Sequence, residues 1–227
     1  MAELHVYIYN AMWDKCFLAA CQRTNWINCV VRASVFWACA LGRWAVICCA
    51  VDVRVAPELL GCITEDCRGY ILHAIQYTQY NFIIVNVYLP VNKELNEYKN
   101  CMSDIFTGIS YVLDQYSDYS VIVAGDFNCD LIGDNIGCKL VAQFMTDRKL
   151  TCCDKWCNED TKYTYCHASQ DSRSFIDHFL VSNNLCSSVD SCEVVDSGVN
   201  LSDHLPVIVR ISIAIPLSAA SANKPSD

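Results

Sequence analysis

Three short clusters combine carboxylate, amide and imidazole groups, each beside an apolar run. Gly125-Asp126-Phe127-Asn128 follows Tyr119–Ala124, and Ser202-Asp203-His204 directly precedes Leu205–Ile215. Between them, Ser174-Phe175-Ile176-Asp177-His178 sets an acid inside an apolar stretch, and Tyr88 lies near the end of Asn81–Leu89. Three aspartates, an asparagine, a histidine and a tyrosine at strand ends suit hydrolysis of a phosphate ester. A hard cation prefers carboxylate and water oxygens, and its charge neutralises phosphoryl oxygens in the transition state. A histidine oriented by a carboxylate can take the proton of an attacking water. Singly, a Gly-Asp pair is usually a turn and Asp-His before a strand is often a cap or surface loop. An acid within an apolar strand is harder to explain structurally, because an unpaired buried carboxylate is costly. The three together are much less readily accidental than any one.

The elements that must position these groups are legible in the hydrophobic pattern. Tyr70–Tyr77 and Asn81–Leu89 are β-branched and aromatic, are separated by Thr78-Gln79-Tyr80, and read as neighbouring strands. Ile83, Ile84 and Val85 are apolar on both faces, as in a strand sandwiched between layers. The spacing of Leu95, Tyr98, Met102, Ile105, Ile109 and Val112 predicts an amphipathic helix over Lys93 to Gln115. A second helix is expected over Asn135–Arg148, with Ile136, Leu140, Val141 and Phe144 inward. Tyr119–Ala124, Lys162–Tyr165, Phe175–Val181 and Leu205–Ile215 are the remaining strand candidates. Helices intervene between some strands while others are adjacent, so a layered mixed α/β class is expected. Without an internal repeat or linker, residues 1–215 read as one domain, and residues 216–227 as a solvated tail.

At 227 residues the chain can bury a large core, and 53% hydrophobic content excludes overall disorder. A formal charge of −9 argues against a passive basic coat for nucleic acid, but not against an enzyme meeting phosphates through a metal. The most apolar stretch, Trp26–Val51, is interrupted by Arg32 and Arg43. The run between them falls short of the roughly 20 residues a spanning helix needs. Strands joined near Gly42 are expected instead, with no stable membrane association. The 17 cysteines include no Cys-x-x-Cys pair. Cys152, Cys153, Cys157, Cys166 and His167 offer enough donors for zinc, but the spacing is loose. Mostly reduced core thiols are expected. No secretory signal is visible, which favours an intracellular setting, nucleus or cytoplasm.

In this order, GDFN (Gly125–Asn128), SFIDH (Ser174–His178) and SDHLPV (Ser202–Val207) resemble the endonuclease/exonuclease/phosphatase family. NVYLP (Asn86–Pro90) resembles its tyrosine-bearing strand, and the run from there to VAGDFN is most similar to the LINE-type, non-LTR retrotransposon branch. The resemblance covers roughly Gly42 to Ile215. It implies a DNase I-like, four-layer αββα sandwich and Mg²⁺-dependent (or Mn²⁺-dependent) phosphodiester cleavage, with DNA as the substrate partner. It further implies His204 as general base, Asp177 as the carboxylate that orients it, and Asp126 as the group that positions the nucleophile or protonates the leaving oxygen. Asn128 and Tyr88 would contact the phosphate, Asp203 would hold the metal, and Thr164 and Ser202 would flank the substrate.

The first ~40 residues depart from the family pattern. Its first, asparagine-bearing strand would fall before Met1, Asn10 being too close to Asp14 to serve. Ala19 and Ala20 stand where a Gln-Glu pair whose Glu binds metal belongs. Glu3, Asp14 and Glu65 sit in no matching motif. The expected function is therefore a retroelement-type DNA endonuclease, impaired by loss of that Glu. The alternatives are a non-catalytic fold remnant or interaction module, and a small-molecule or lipid phosphatase of the same family.

Overall fold

Apolar strands flanked by polar turns determine the architecture. The computed structural model describes residues 2–9, 33–40, 43–52, 59–67, 70–77, 81–91, 94–157, 163–167, 172–196 and 203–213. In chain order the strands before the first helix are β1 (Ala2–Tyr9), β2 (Ala33–Ala40), β3 (Arg43–Asp52), β4 (Leu59–Cys67), β5 (Tyr70–Tyr77) and β6 (Asn81–Tyr88). Then come α1 (Leu95–Gln115), β7 (Ser120–Asp126), α2 (Ile136–Arg148) and β8 (Leu150–Cys152). The chain continues through β9 (Tyr165–His167), β10 (Ser172–Ser174), β11 (Asp177–Ser182), β12 (Val189–Val194) and β13 (Val207–Ile213). Short 3₁₀ turns span Cys153–Trp156 and Asn183–Ser188.

Two sheets form, one of order β4-β5-β6-β7-β11-β8 and the other β12-β13-β1-β3-β2, beside the small β9–β10 pair. Within the first, β6 and β7 run parallel and α1 makes the crossover between them, as a parallel pair requires. Alternation along β6 sends Phe82 and Ile84 to one face and Ile83, Val85 and Val87 to the other. The first face, with Ile122 and Phe179, shares a core with Val207, Val209 and Ile211 of the second sheet. The opposite face packs on Met102, Ile109, Val141 and Phe144 of the two helices. Each such buried aliphatic or aromatic side chain contributes on the order of 1.5–3 kcal/mol. The described residues thus supply a helix–sheet–sheet stack of the DNase I-like αββα fold. No helix among them is long and apolar enough to cross a membrane.

Some expectations need correction. A first strand is present: β1 pairs with β13 on one side and β3 on the other, in the middle of its sheet. No family motif marks this strand in the sequence. The strand expected at Lys162–Tyr165 instead runs Tyr165–His167, and β4 and β12, broken by charged residues, escape the alternation pattern. Leu95, expected on the inner face of α1, is 53% exposed, because it sits in the first turn beyond the sheet's cover. Within the expected strand region Trp26–Val51, the described residues form antiparallel strands, β2 and β3. Asn10, the Asp14–Ala20 segment, Ser202 and the tail lie outside the described residues.

Most described cysteines are thiols, with Cys129, Cys138 and Cys153 buried. One pair, Cys157 and Cys192, is bonded as a disulfide between the end of the Cys153–Trp156 turn and β12. The five donors weighed for zinc do not form one cluster among the described residues. Cys152 instead meets Asp154 and His178.

Candidate active site at the strand ends

Because β6 and β7 are parallel, their C-terminal ends share one edge, where Tyr88 lies in register with Asp126. β11 runs antiparallel to β7 and starts at that edge, which sets Asp177 directly across from Asp126. His204 reaches the same place from the segment before β13. That segment is held by the Cys166 N–H donating to the Asp203 carbonyl (2.8 Å) and the Leu205 N–H donating to the Thr164 carbonyl (2.6 Å). The Tyr165 ring lies 4.9 Å from the His204 ring, centroid to centroid.

His204 Nδ1 donates to Asp177 Oδ2 at 2.9 Å, and both residues are buried. Burial disfavours the imidazolium, but the Asp177 hydrogen bond and charge, with Asp126 and Asp203 nearby, outweigh it and raise the His204 pKa above 6.5. Asp126 is buried as well, whereas Asp203 is exposed at the mouth of the site and Tyr88 is half-buried.

The turn after β7 is locked by its own side chains. Gly125 has φ +142°, and a Cβ there would collide with the Val87 carbonyl of β6. The Asn128 N–H donates to Asp126 Oδ1 at 2.9 Å, an Asx turn, while Asn128 itself takes a left-handed φ of 50°. One hydrogen of the Asn128 amide goes to the Leu89 carbonyl (2.7 Å), and the amide nitrogen carries a second donor. Neighbouring strand ends are stitched by Leu89 N–H to the Asp126 carbonyl and Phe127 N–H to the Ile176 carbonyl, both 2.8 Å.

Of the residues singled out from sequence, Tyr88, Asp126, Asn128, Asp177, Asp203 and His204 meet at this one edge. Thr164 has a different place from the one expected. It is fully buried, and its hydroxyl accepts the N–H groups of Ile176 and Asp177, both at 3.0 Å. With no exposed surface, the Thr164 side chain faces the backbone that carries Asp177.

Two further groups went unassigned in the sequence. His178, on the opposite face of β11 from Asp177, is buried with Nδ1 2.7 Å from Asp154 Oδ2, and its Nε2 donates to the Cys129 carbonyl at 2.9 Å. Burial opposes its protonation, yet the Asp154 hydrogen bond and charge raise its pKa overall. The signal for His178 was its place beside Asp177 in SFIDH. Asp154, in Cys153-Asp154-Lys155-Trp156, has no comparable marker.

The family model described as "Endonuclease-reverse transcriptase" matches residues 82–208, which include every one of these positions. No curated protein matches the sequence. Among solved structures, the chain is similar to the 3′ phosphatase NExo from Neisseria bound to product DNA hairpin. The identity is 15%, covering 92% of this chain and 88% of that one, with a TM-score of 0.59. It is similar too to the endonuclease domain of TRAS1, a telomere-specific non-LTR retrotransposon (16% identity, 79% and 78% covered, TM-score 0.57). The AP endonuclease LMAP from Leishmania major aligns at 12% identity over 80% and 71%, with a TM-score of 0.62. At such identities these likenesses speak for the fold. The family model, by contrast, matches more than half of the 227 residues, and on that ground the chain belongs to the endonuclease-reverse transcriptase family, within the endonuclease/exonuclease/phosphatase group.

Proposed function

We propose that this chain is a divalent-metal-dependent phosphodiesterase that cuts DNA as a retroelement-type endonuclease. The observation that carries the reading is the buried His204–Asp177 pair at 2.9 Å, with Asp126 in register beside it. Asp177 accepts the Nδ1 proton and so fixes the His204 tautomer in which Nε2 is the base. Nε2 takes the proton of the attacking water as its oxygen bonds to phosphorus. Asp126 positions that nucleophile or returns a proton to the leaving oxygen. Asn128 and Tyr88 hold the phosphate in line.

Mg²⁺ or Mn²⁺ fits the chemistry of the donors: among the described residues, carboxylates and an amide converge here, and Asp203 is the exposed one that would hold the ion. Such an ion, when bound, neutralises charge on the phosphoryl oxygens. With Ala19 and Ala20 in place of a Gln-Glu pair, fewer carboxylates are available to it, so a raised Mg²⁺ concentration is required.

Nicking of supercoiled plasmid tests the proposal. Cleavage should occur at raised Mg²⁺, stop with EDTA, and fall by about 10²–10⁴-fold in His204→Ala, the range general-base catalysis supplies. Hydrolysis of small phosphate esters with intact plasmid would favour a phosphatase. Absence of turnover on either substrate, with folding preserved, would leave a non-catalytic module.

A further inference from the structure

On the face of β11 away from the His204–Asp177 pair, we propose that Cys152 Sγ, the Asp154 carboxylate and His178 Nδ1 form a site for a thiophilic divalent transition ion of the Zn²⁺ type. One ligand atom from each lies within 4.8 Å of the others. Tetrahedral zinc, with bonds of about 2.0–2.3 Å, sets its ligand atoms roughly 3.3–3.6 Å apart. The Nδ1 to Oδ2 separation of 2.7 Å therefore opens by well under an ångström to admit the ion.

The orientation of His178 is fixed from outside the cluster. A backbone carbonyl can only accept, so the 2.9 Å contact from Nε2 to the Cys129 carbonyl places a proton on Nε2 and aims Nδ1 at Asp154, where the metal-free ring donates a second proton that a bound ion would displace. A metal-bound imidazole is held by this kind of backbone contact. The ring also lies between Phe127 (5.4 Å) and Phe175 (5.5 Å), which limits its rotation.

Ligand type separates this cluster from the oxygen-rich edge around Asp203. Sulfur, imidazole and carboxylate suit Zn²⁺ far better than Mg²⁺. Burial, with the Asp154 charge beside it, pushes the Cys152 thiol well up, so the ion would bind with release of the Cys152 and Nδ1 protons and then balance a thiolate and a carboxylate. The Asp154 side chain is 28% exposed, so one side of the cluster opens to solvent and can supply a water as fourth ligand. Cys152 ends β8, Asp154 belongs to the following 3₁₀ turn and His178 to β11, so the ion would clamp that turn to the strand bearing Asp177.

The metal-free alternative is a His178–Asp154 ion pair with the Cys152 thiol hydrogen-bonded to Asp154, which would put no sulfur on an added ion, and this difference decides the experiment. Chelator-stripped full chain is given one equivalent of Zn²⁺ and examined by X-ray absorption. One sulfur with nitrogen and oxygen neighbours is expected. No bound zinc, no sulfur, or two or more sulfurs would overturn the site, the last by placing the ion among other cysteines. In parallel, Cd²⁺ should give a thiolate charge-transfer band in the ultraviolet that is lost, with at least a tenfold drop in affinity, in Cys152→Ser. That band should persist in Asp203→Asn. A band unchanged in Cys152→Ser would refute the proposal, and the wild-type absorption result stands whether or not the variant folds. All these readouts are independent of DNA cleavage.

Discussion

The Thr164 hydroxyl is expected to act on the chemistry through the backbone of Asp177. It is the acceptor for two consecutive N–H groups, those of half-buried Ile176 and buried Asp177. Thr164→Val keeps the shape and removes the acceptor, and each orphaned buried donor costs roughly 1–3 kcal/mol. The variant should therefore lose about 2–4 kcal/mol in urea titration, and kcat should fall with KM nearly unchanged as Asp177 shifts under His204. Thr164→Ser should restore both, and a rise in KM alone would return Thr164 to the substrate. The sequence marked this residue as chemically important, but whether it faces solvent or backbone depends on packing by β9, β10 and the segment before β13, which no local pattern encodes. Asp177 was legible for the opposite reason: an acid within an apolar strand demands a partner whatever the tertiary context.

At the scale of elements, the turn from β7 into the site rests on Gly125. With φ +142° and the Val87 carbonyl where a Cβ would go, Gly125→Ala must either break the β6–β7 pairing or rotate the turn. A destabilisation of at least about 3 kcal/mol is expected, at the upper end of overpacking effects. Nicking should fall in parallel, since Asp126 and Asn128 follow directly. An Ala variant within 1 kcal/mol of wild type, by denaturant midpoint, would contradict the described turn.

The contact between α1 and the loop after β7 yields a pH prediction. Burial first, and the neighbouring Cys129 second, push the Tyr98 hydroxyl up to about 12, and burial likewise pushes the Cys129 thiol up to about 12. Both groups stay neutral in the folded chain, while the unfolded thiol ionises near 9 and the unfolded phenol near 10. Protons are therefore retained longer by the folded state, and their stabilisation is complete below pH 9 and is lost as pH rises toward 12. Each group contributes a slope of about 1.4 kcal/mol per pH unit in its own window. Stability curves should turn downward above pH 9, and Cys129→Ala should make that decline shallower.

These helices and the central strands were readable because apolar periodicity over long runs leaves little choice. α1 was expected from Lys93 and begins at Leu95, and α2 follows Asn135, whose side chain accepts the Cys138 N–H at 2.9 Å. β1 carries no short-range motif, so only its pairing partners mark it as a strand. Its neighbours β3 and β13 lie far along the chain.

For the whole molecule, charge sets the terms of any encounter with DNA. Twenty-five acidic side chains against 16 basic ones leave a net −9, and the described cations are largely engaged. Arg148 pairs with Asp114, Lys139 with Asp134 and Arg210 with Glu193, while Lys155 covers the Trp156 ring and Arg173 the Tyr163 ring. A protein that neutralises Z phosphates loses affinity with a log–log salt slope near −0.9Z, and six to ten contacts lose about 10³–10⁵-fold between 50 and 200 mM salt. With these described cations committed and the net charge negative, the chain is expected to engage no more than about three phosphates, so its affinity should drop less than about 50-fold over that range. The measurement is duplex binding by the inactive His204→Ala variant across that salt series. A shallow slope would mean that the strand-end site itself, with its divalent ion, supplies the hold on the phosphate. A slope steeper than about −5 would show that a basic surface carries DNA binding and that net charge is a poor guide to what this chain binds.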